Sequence, residues 1–229
     1  MEFERMLAYS AGLAANNERS WFHANHKQYE QARADFLDLL ECMRFALIRE
    51  IPALENELLY MPAKSWTYRT ARDMRIHRDR PPYNPAFRAY LSPDKRSWLP
   101  LGYFMRIFPG SSYFGTGLWC EDRATVNGIR EFIRDNWMEL DWLLEQAGLT
   151  LQGHQAVKTA PRGFDPDHPA IAWLRQDSWS VGVDIRDEEL TDFQPFADQL
   201  AAQAARMEPI RQYFLRAARY AQANKPKLK

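Results

Sequence analysis

Six cations fall between residues 64 and 80, Lys64, Arg69, Arg72, Arg75, Arg78 and Arg80, against two acids, Asp73 and Asp79. That local balance of +4 stands out in a chain whose formal net charge is zero. A guanidinium presents planar donors that match two oxygens of a carboxylate or phosphate at once, and it stays charged at any relevant pH. The stretch therefore reads as an anion pocket. Its bland alternative is a structural network: residues 121–200 carry nine acids in excess, and the arginines could pair with them. Aromatic residues accompany the cations. Trp66, Tyr68, Tyr83, Phe87 and Tyr90 could stack on a planar ligand, although rings at such a density more often build core.

Other chemistries lose their support. His23, His26, His77, His154 and His168 do not form the His-Glu-x-x-His order of a zinc hydrolase, so no metal site is assigned. Asp165-Pro166-Asp167-His168 reads as a cap and turn rather than an oxygen ligand set. Gly115-Thr116-Gly117 lacks the third glycine and following helix of a dinucleotide fingerprint. There is no phosphate-loop Gly-Lys-Ser/Thr and no Gly-x-Ser-x-Gly elbow, and no pair of carboxylates is marked out as acid and base. No cofactor is implied and no catalytic residue is assigned.

Composition bounds the class. The chain has 229 residues, 46% of them apolar and 26% charged, which is ordinary for a globular protein with a buried core. Residues 1–120 sum to +3, residues 121–200 to −9 and residues 201–229 to +6, so a general nucleic-acid binder is disfavoured. The basic end is read as a complement to a helix dipole rather than a lipid contact. Two cysteines, Cys42 and Cys120, suggest no disulfide framework and fit a reducing compartment, so a cytoplasmic protein is expected. The acidic opening Met-Glu-Phe-Glu-Arg does not read as a secretory signal, and no apolar run approaches the roughly 20 residues of a membrane span. No membrane partner is expected, and no motif specifies an oligomeric state.

The elements that must position the cations follow from periodicity. Residues 2–14 read as a short helix. Asn16, Asn17 and Ser20 offer caps for a longer one with Tyr29, Ala32, Phe36, Leu40, Met43 and Leu47 on one face, stopping near Pro52. Leu99 to Phe108 alternates as a strand, Pro109-Gly110-Ser111-Ser112 reads as a hairpin turn, and Tyr113 to Trp119 returns. Asp122 to Gly148 reads as a capped helix with a break near Asp135-Asn136. Short strands are expected over 149–157 and 177–185, with a short helix opened by Pro169 between them. A long helix from Phe193 to Ala218, kinked at Pro209, closes the chain, and 224–229 is expected to be loose. Helices at the ends and strands in the middle, without repeats or linkers, predict one α+β domain over 1–229 with a mainly antiparallel sheet.

Several of these residues carry a resemblance. Asn-Asn-Glu-Arg-Ser-Trp-Phe at 16–22 with Tyr29, Arg75-Ile76-His77-Arg78-Asp79, Pro82-Tyr83, the strand 114–119, Ile129-Arg130 and Pro161-Arg162-Gly163-Phe164 with Asp167-His168-Pro169 together resemble the bacterial and fungal family called domain of unknown function 2461. The resemblance implies a single α+β domain of this length and no established activity. Its motif positions fall here on Asn17, Trp21, Tyr29, Arg75, Arg78, Asp79, Tyr83 and Arg130. The chain departs from the pattern where only Arg80-Pro81 separates Asp79 from Pro82, a shorter loop than the family's, and where Asn84 replaces an expected lysine. Taken together, the expected site is a cleft for a small anion. Arg75 and Arg78 act as clamps, Asp79 orients one of them, Tyr83 and Trp21 form the wall, and Asn17 and Arg130 join from the motif. The alternative is an interaction module that presents its Arg, Trp and Tyr residues to a protein partner.

Overall fold

The computed structural model of the chain describes residues 3–76, 78–93, 102–120, 122–153 and 157–224. His77 and His154, residues 99–101 of the expected strand, 154–156 of the next one and 225–229 of the tail lie outside the described residues. The rest is α+β, with eight α-helices and a four-stranded antiparallel sheet of order β1-β2-β3-β4 among the described residues. They gather into two compact units. The first holds the chain up to residue 93 with Phe104–Phe114 and Val183–Ala204, and the second holds 102–103, Gly115–Gly182 and the chain from Ala205.

In the first unit α1 (Glu4–Ala15) buries Met6, Tyr9 and Leu13, a three-and-four spacing that lays them along one side. The expected second helix is divided into α2 (Arg19–Ala24) and α3 (His26–Glu50) at Asn25. There the Asn25 carboxamide donates to the Trp21 carbonyl at 2.9 Å and competes with the backbone for it, as asparagine does inside helices. The apolar face of α3 is the one its periodicity predicts, with Ala32, Phe36, Leu40, Met43 and Leu47 buried. It ends at Ile51 because Pro52 cannot supply the next amide donor. Short helices α4 (Glu55–Leu58) and α5 (Ala63–Trp66) lead to the first strand. Phe3 meets Phe193 and Phe196 edge-on, each at 5.0 Å, joining the chain start to the last helix. Each such fully buried ring contributes about 1.5–3 kcal/mol through the water it leaves.

Strand β1 (Phe87–Leu91) was not foreseen as a strand, although its alternation of buried Phe87, Ala89 and Leu91 with Arg88 and Tyr90 has the period of two. Strands β2 (Tyr103–Ile107) and β3 (Ser112–Trp119) form the expected hairpin, and Gly110 at φ 65° takes the left-handed position its turn needs. Strand β4 (Ser178–Ile185) falls within the expected 177–185, whereas the described residues of 149–157 carry a bridge between Gln152 and Ser180 and no strand.

In the second unit α6 (Arg123–Ala147) begins where the Asp122 carboxylate accepts from the Ala124 and Thr125 amides and ends on left-handed Gly148. Asn136 leaves the helical region at φ −127°, the break expected at that pair. Helix α7 (Ile171–Leu174) follows Pro169, and α8 (Phe193–Ala223), which belongs to the first unit up to Ala204 and to the second from Ala205, continues through Pro209. A Cβ on Gly128 would stand 2.8 Å from the Cα and Cβ of Ala221, so α6 and α8 touch backbone to backbone there. One buried polar cluster lies beside Pro209. Glu208 accepts from the Tyr103 hydroxyl at 2.6 Å and from Nε and Nη2 of Arg211, each at 2.7 Å. Burial opposes the charge on Glu208, yet these donors, Arg211 foremost, hold its carboxyl below the usual range.

Candidate functional site

The cationic stretch folds as one arm of a long hairpin in the first unit. Residues 67–72 run antiparallel to 82–89 through bridges Thr67–Ala89 and Ala71–Tyr83, and the described residues 73–76 and 78–81 belong to the tip. Three residues lie between the bridged positions on one arm and five on the other. Asn84 accommodates the excess, since its side chain accepts from the Ala86 amide at 3.1 Å in a local turn beside Pro85. The base is tied off by fully buried Trp66, whose indole donates to the Ser92 carbonyl at 3.0 Å. The Arg44 guanidinium lies 5.0 Å from the centre of that indole ring.

Asn17, Trp21 and Tyr83 come together beside this hairpin. Tyr83 faces Ala71 in the pairing that leaves its own N–H and C=O pointing away from the partner arm. Asn17 meets both groups: its Oδ1 accepts from the Tyr83 amide and its Nδ2 donates to the Tyr83 carbonyl, each at 3.0 Å. The carboxamide thus imitates a neighbouring strand, and its role is to clip the hairpin to the α1–α2 junction rather than to cap a helix. The Tyr83 ring stacks on Phe22 at 4.3 Å and 9°. Trp21 packs against Tyr9 at 5.7 Å, and a Cβ on Gly12 would lie 3.0 Å from its ring. Tyr29 joins them by accepting from Thr70 Oγ1 at 3.3 Å. Burial, with Tyr29 and Tyr83 close by, pushes the Tyr9 hydroxyl above the usual phenol range, and that oxygen has no hydrogen-bond partner among the described residues.

The expected clamps sit at the tip. Arg75 is bound in a fork by Asp73, with Nε on Oδ1 at 3.0 Å and Nη2 on Oδ2 at 2.7 Å, and its side chain is 88% exposed. That hydrogen bonding raises its pKa further. Asp73, rather than Asp79, is therefore the carboxylate that orients Arg75. Asp79 is exposed and stands 4.0 Å from Arg80, and Arg78 is exposed beside it. The tip's described ion pairs are thus local and do not draw on the acidic surplus of 121–200. Arg130 belongs to the second unit, where it is buried and committed to the Gln176 carbonyl, Asp177 and Asn127. Burial lowers its pKa, with Asp177 acting in the opposite direction.

Two other arginines stand out once the arms are paired. Arg72 donates to the carbonyls of Pro81, at 2.8 Å, and Tyr83. Arg88, from β1, donates to the Arg69 carbonyl at 3.3 Å, and its guanidinium lies 5.3 Å from the centre of the Tyr68 ring. Both are half-buried. Burial lowers the pKa of each, reinforced by Arg80 acting on Arg72 and by Arg72 acting on Arg88. Neither pairs with a carboxylate among the described residues, and Nε of Arg88 is buried there without an acceptor. Arg72 was part of the cationic stretch, whereas Arg88 was missed. Its signal was the alternation of Phe87 to Leu91, which sets residue 88 opposite the core face.

Among the described residues no group of three His, Cys, Asp or Glu side chains is placed to hold a metal ion. No helix there is long and apolar enough to cross a membrane. The motif residues that bore the resemblance lie within residues 5–213, which match the family model described as Conserved hypothetical protein (DUF2461). The chain belongs to this family. No curated protein and no solved structure gives a match. For this DUF2461 member, then, the resemblance read from the motifs is borne out, and what its residues do rests on their own geometry.

Proposed function

We propose that this DUF2461 protein binds a small anion, carboxylate- or phosphate-bearing, on its cationic hairpin, with Arg72 and Arg88 as the principal contacts. The observation that carries the reading is two half-buried guanidiniums on paired arms with no carboxylate partner among the described residues. Desolvating a cation beside another cation is unfavourable, and an anion that bridges the two guanidiniums offsets that cost. Arg69 and Arg78 add outlying positive charge. In this reading Arg75 is neutralised by Asp73 and acts in steering, while Asn17, Trp21 and Tyr83 hold the hairpin in place. The activity proposed is binding, in the cytoplasm, a compartment that the count of two cysteines suits.

The test is thermal unfolding with inorganic phosphate and with citrate at low salt. A ligand at 100 times its Kd stabilises the folded state by about 2.7 kcal/mol and raises the midpoint. Arg88→Gln and Arg72→Gln should abolish the rise, and Arg75→Gln should retain it. No rise for the unsubstituted protein, or an equal one in Arg88→Gln, refutes the reading. One observation favours a second reading, a patch that faces a protein partner: Ile76 at the hairpin tip is 74% exposed beside exposed Arg75 and Arg78. Loss of a partner on Ile76→Ser, with the anion response intact, would select it.

A further inference from the structure

The side of the sheet opposite the core has an unusual composition in the first unit. Along β1, β2 and the start of β3 the residues alternating with the buried ones are Arg88, Tyr90, Phe104, Arg106 and Tyr113, without an aliphatic or an acidic residue among them. Each of the five is part-exposed, so this face presents rings and cations at its surface. The rings approach one another. Tyr68 lies 6.3 Å from Phe104 at 62°, an edge contact, and Phe104 lies 6.3 Å from Tyr113 at 45°, a tilted one. Tyr68 remains 41% exposed.

This surface and the anion contact meet at Arg88, whose guanidinium is 5.3 Å from the Tyr68 ring centre and whose Nε is the donor without an acceptor. Arg106, the other cation of this face, is turned away. It donates to the Ser111 carbonyl at 2.8 Å and hydroxyl at 2.9 Å. Among the described residues the charge at the rings is that of Arg88, with Arg72 near enough to lower its pKa, which suits one phosphate group rather than a polyanion.

Resting on the anion-binding reading above, we infer that the ligand is a nucleoside monophosphate, its phosphate on Arg88 and Arg72 and its base stacked on the ring of Tyr68, with Phe104 flanking it. Every base has a π-face, so such a platform holds it by stacking and leaves base identity unspecified. The zero net charge of the chain, with no long cationic track, favours a single nucleotide over a strand.

Calorimetric titration of the full chain at low salt with inorganic phosphate, ribose 5-phosphate and adenosine monophosphate tests the inference. Stacking by one base should make the monophosphate bind about 5- to 150-fold more tightly than ribose 5-phosphate. Tyr68→Ala should erase that ratio and leave the ribose 5-phosphate affinity in place, Tyr68→Phe should preserve the ratio, and Arg88→Gln should weaken both phosphates. Equal affinity for adenosine monophosphate and ribose 5-phosphate in the unsubstituted protein overturns the nucleotide inference and leaves anion binding standing. Absence of binding by all three overturns both. Retention of the ratio in Tyr68→Ala, with the fold confirmed by circular dichroism, also refutes the stacking role.

Discussion

Replacing Asn17 by alanine separates a clip from a ligand contact, and its size follows from the atoms involved. The change removes two hydrogen bonds of 3.0 Å to the Tyr83 backbone. They are not equivalent. The Tyr83 carbonyl keeps Arg72 Nη1 as a donor, so losing Asn17 Nδ2 leaves it satisfied. The Tyr83 amide keeps no described acceptor, because the pairing with Ala71 points it away from the other arm, and Tyr83 is only 7% exposed. An orphaned buried amide costs about 1–3 kcal/mol, and loosening the Phe22–Tyr83 stack adds up to about 1 kcal/mol. Asn17→Ala should therefore destabilise by about 2–3 kcal/mol in urea unfolding at unchanged m-value. The Tyr83 amide should exchange with solvent about 10- to 100-fold faster. Asn17→Asp, which keeps the acceptor but sets an oxygen against the Tyr83 carbonyl, should recover only part of the loss. A urea midpoint equal to that of the unsubstituted protein, together with an unchanged Tyr83 exchange rate, would refute the clip.

Three further outcomes follow from the packing. Gly128→Ala gains about 1 kcal/mol of helix propensity but drives a methyl to 2.8 Å from Ala221, so a net loss of about 1–2 kcal/mol is expected in thermal unfolding. Asp122→Ala removes the acceptor for the Ala124 and Thr125 amides and should cost about 1 kcal/mol, whereas Asp122→Asn should cost less than half of that by the same measurement. Because Arg211 holds the Glu208 carboxyl below its unfolded value, Glu208 contributes stability above the ordinary glutamate pKa and loses it as pH falls through the lower folded value. Urea unfolding from pH 7 to pH 3 should show that decline, and Glu208→Gln should flatten it at the expense of overall stability.

Legibility followed sequence distance. The α3 face, the caps of α6 at Asp122 and Gly148, the break at Asn136 and the turn at Gly110 were readable because each is decided by neighbours within a few residues. The division of the second helix at Asn25 was not, since its pattern of apolar spacing runs on without interruption. Strand β1 was hidden by its surroundings: Phe87 to Leu91 is short, follows two prolines and has an arginine on its outer side. Among the site residues, the fold sets Asn17, Trp21 and Tyr83 beside one hairpin, but their spacing could not reveal that Asn17 completes a strand edge. Arg75 appeared as a clamp because charge counting cannot tell that Asp73, two residues earlier, already holds it.

By itself the chain of residues determined the α+β class, the family and the concentration of cations before residue 81, because composition, periodicity and motif order are properties of local sequence. Which cations are half-buried and which are exposed was decided only by the folded arms. Pairing 67–72 with 82–89 brings Arg88 close enough to Arg72 for the two to repel and half-buries both, while it leaves Arg75 exposed and bound to Asp73 at the tip. Electrostatic energy depends on separation in space and on solvent, and neither is a function of position along the chain.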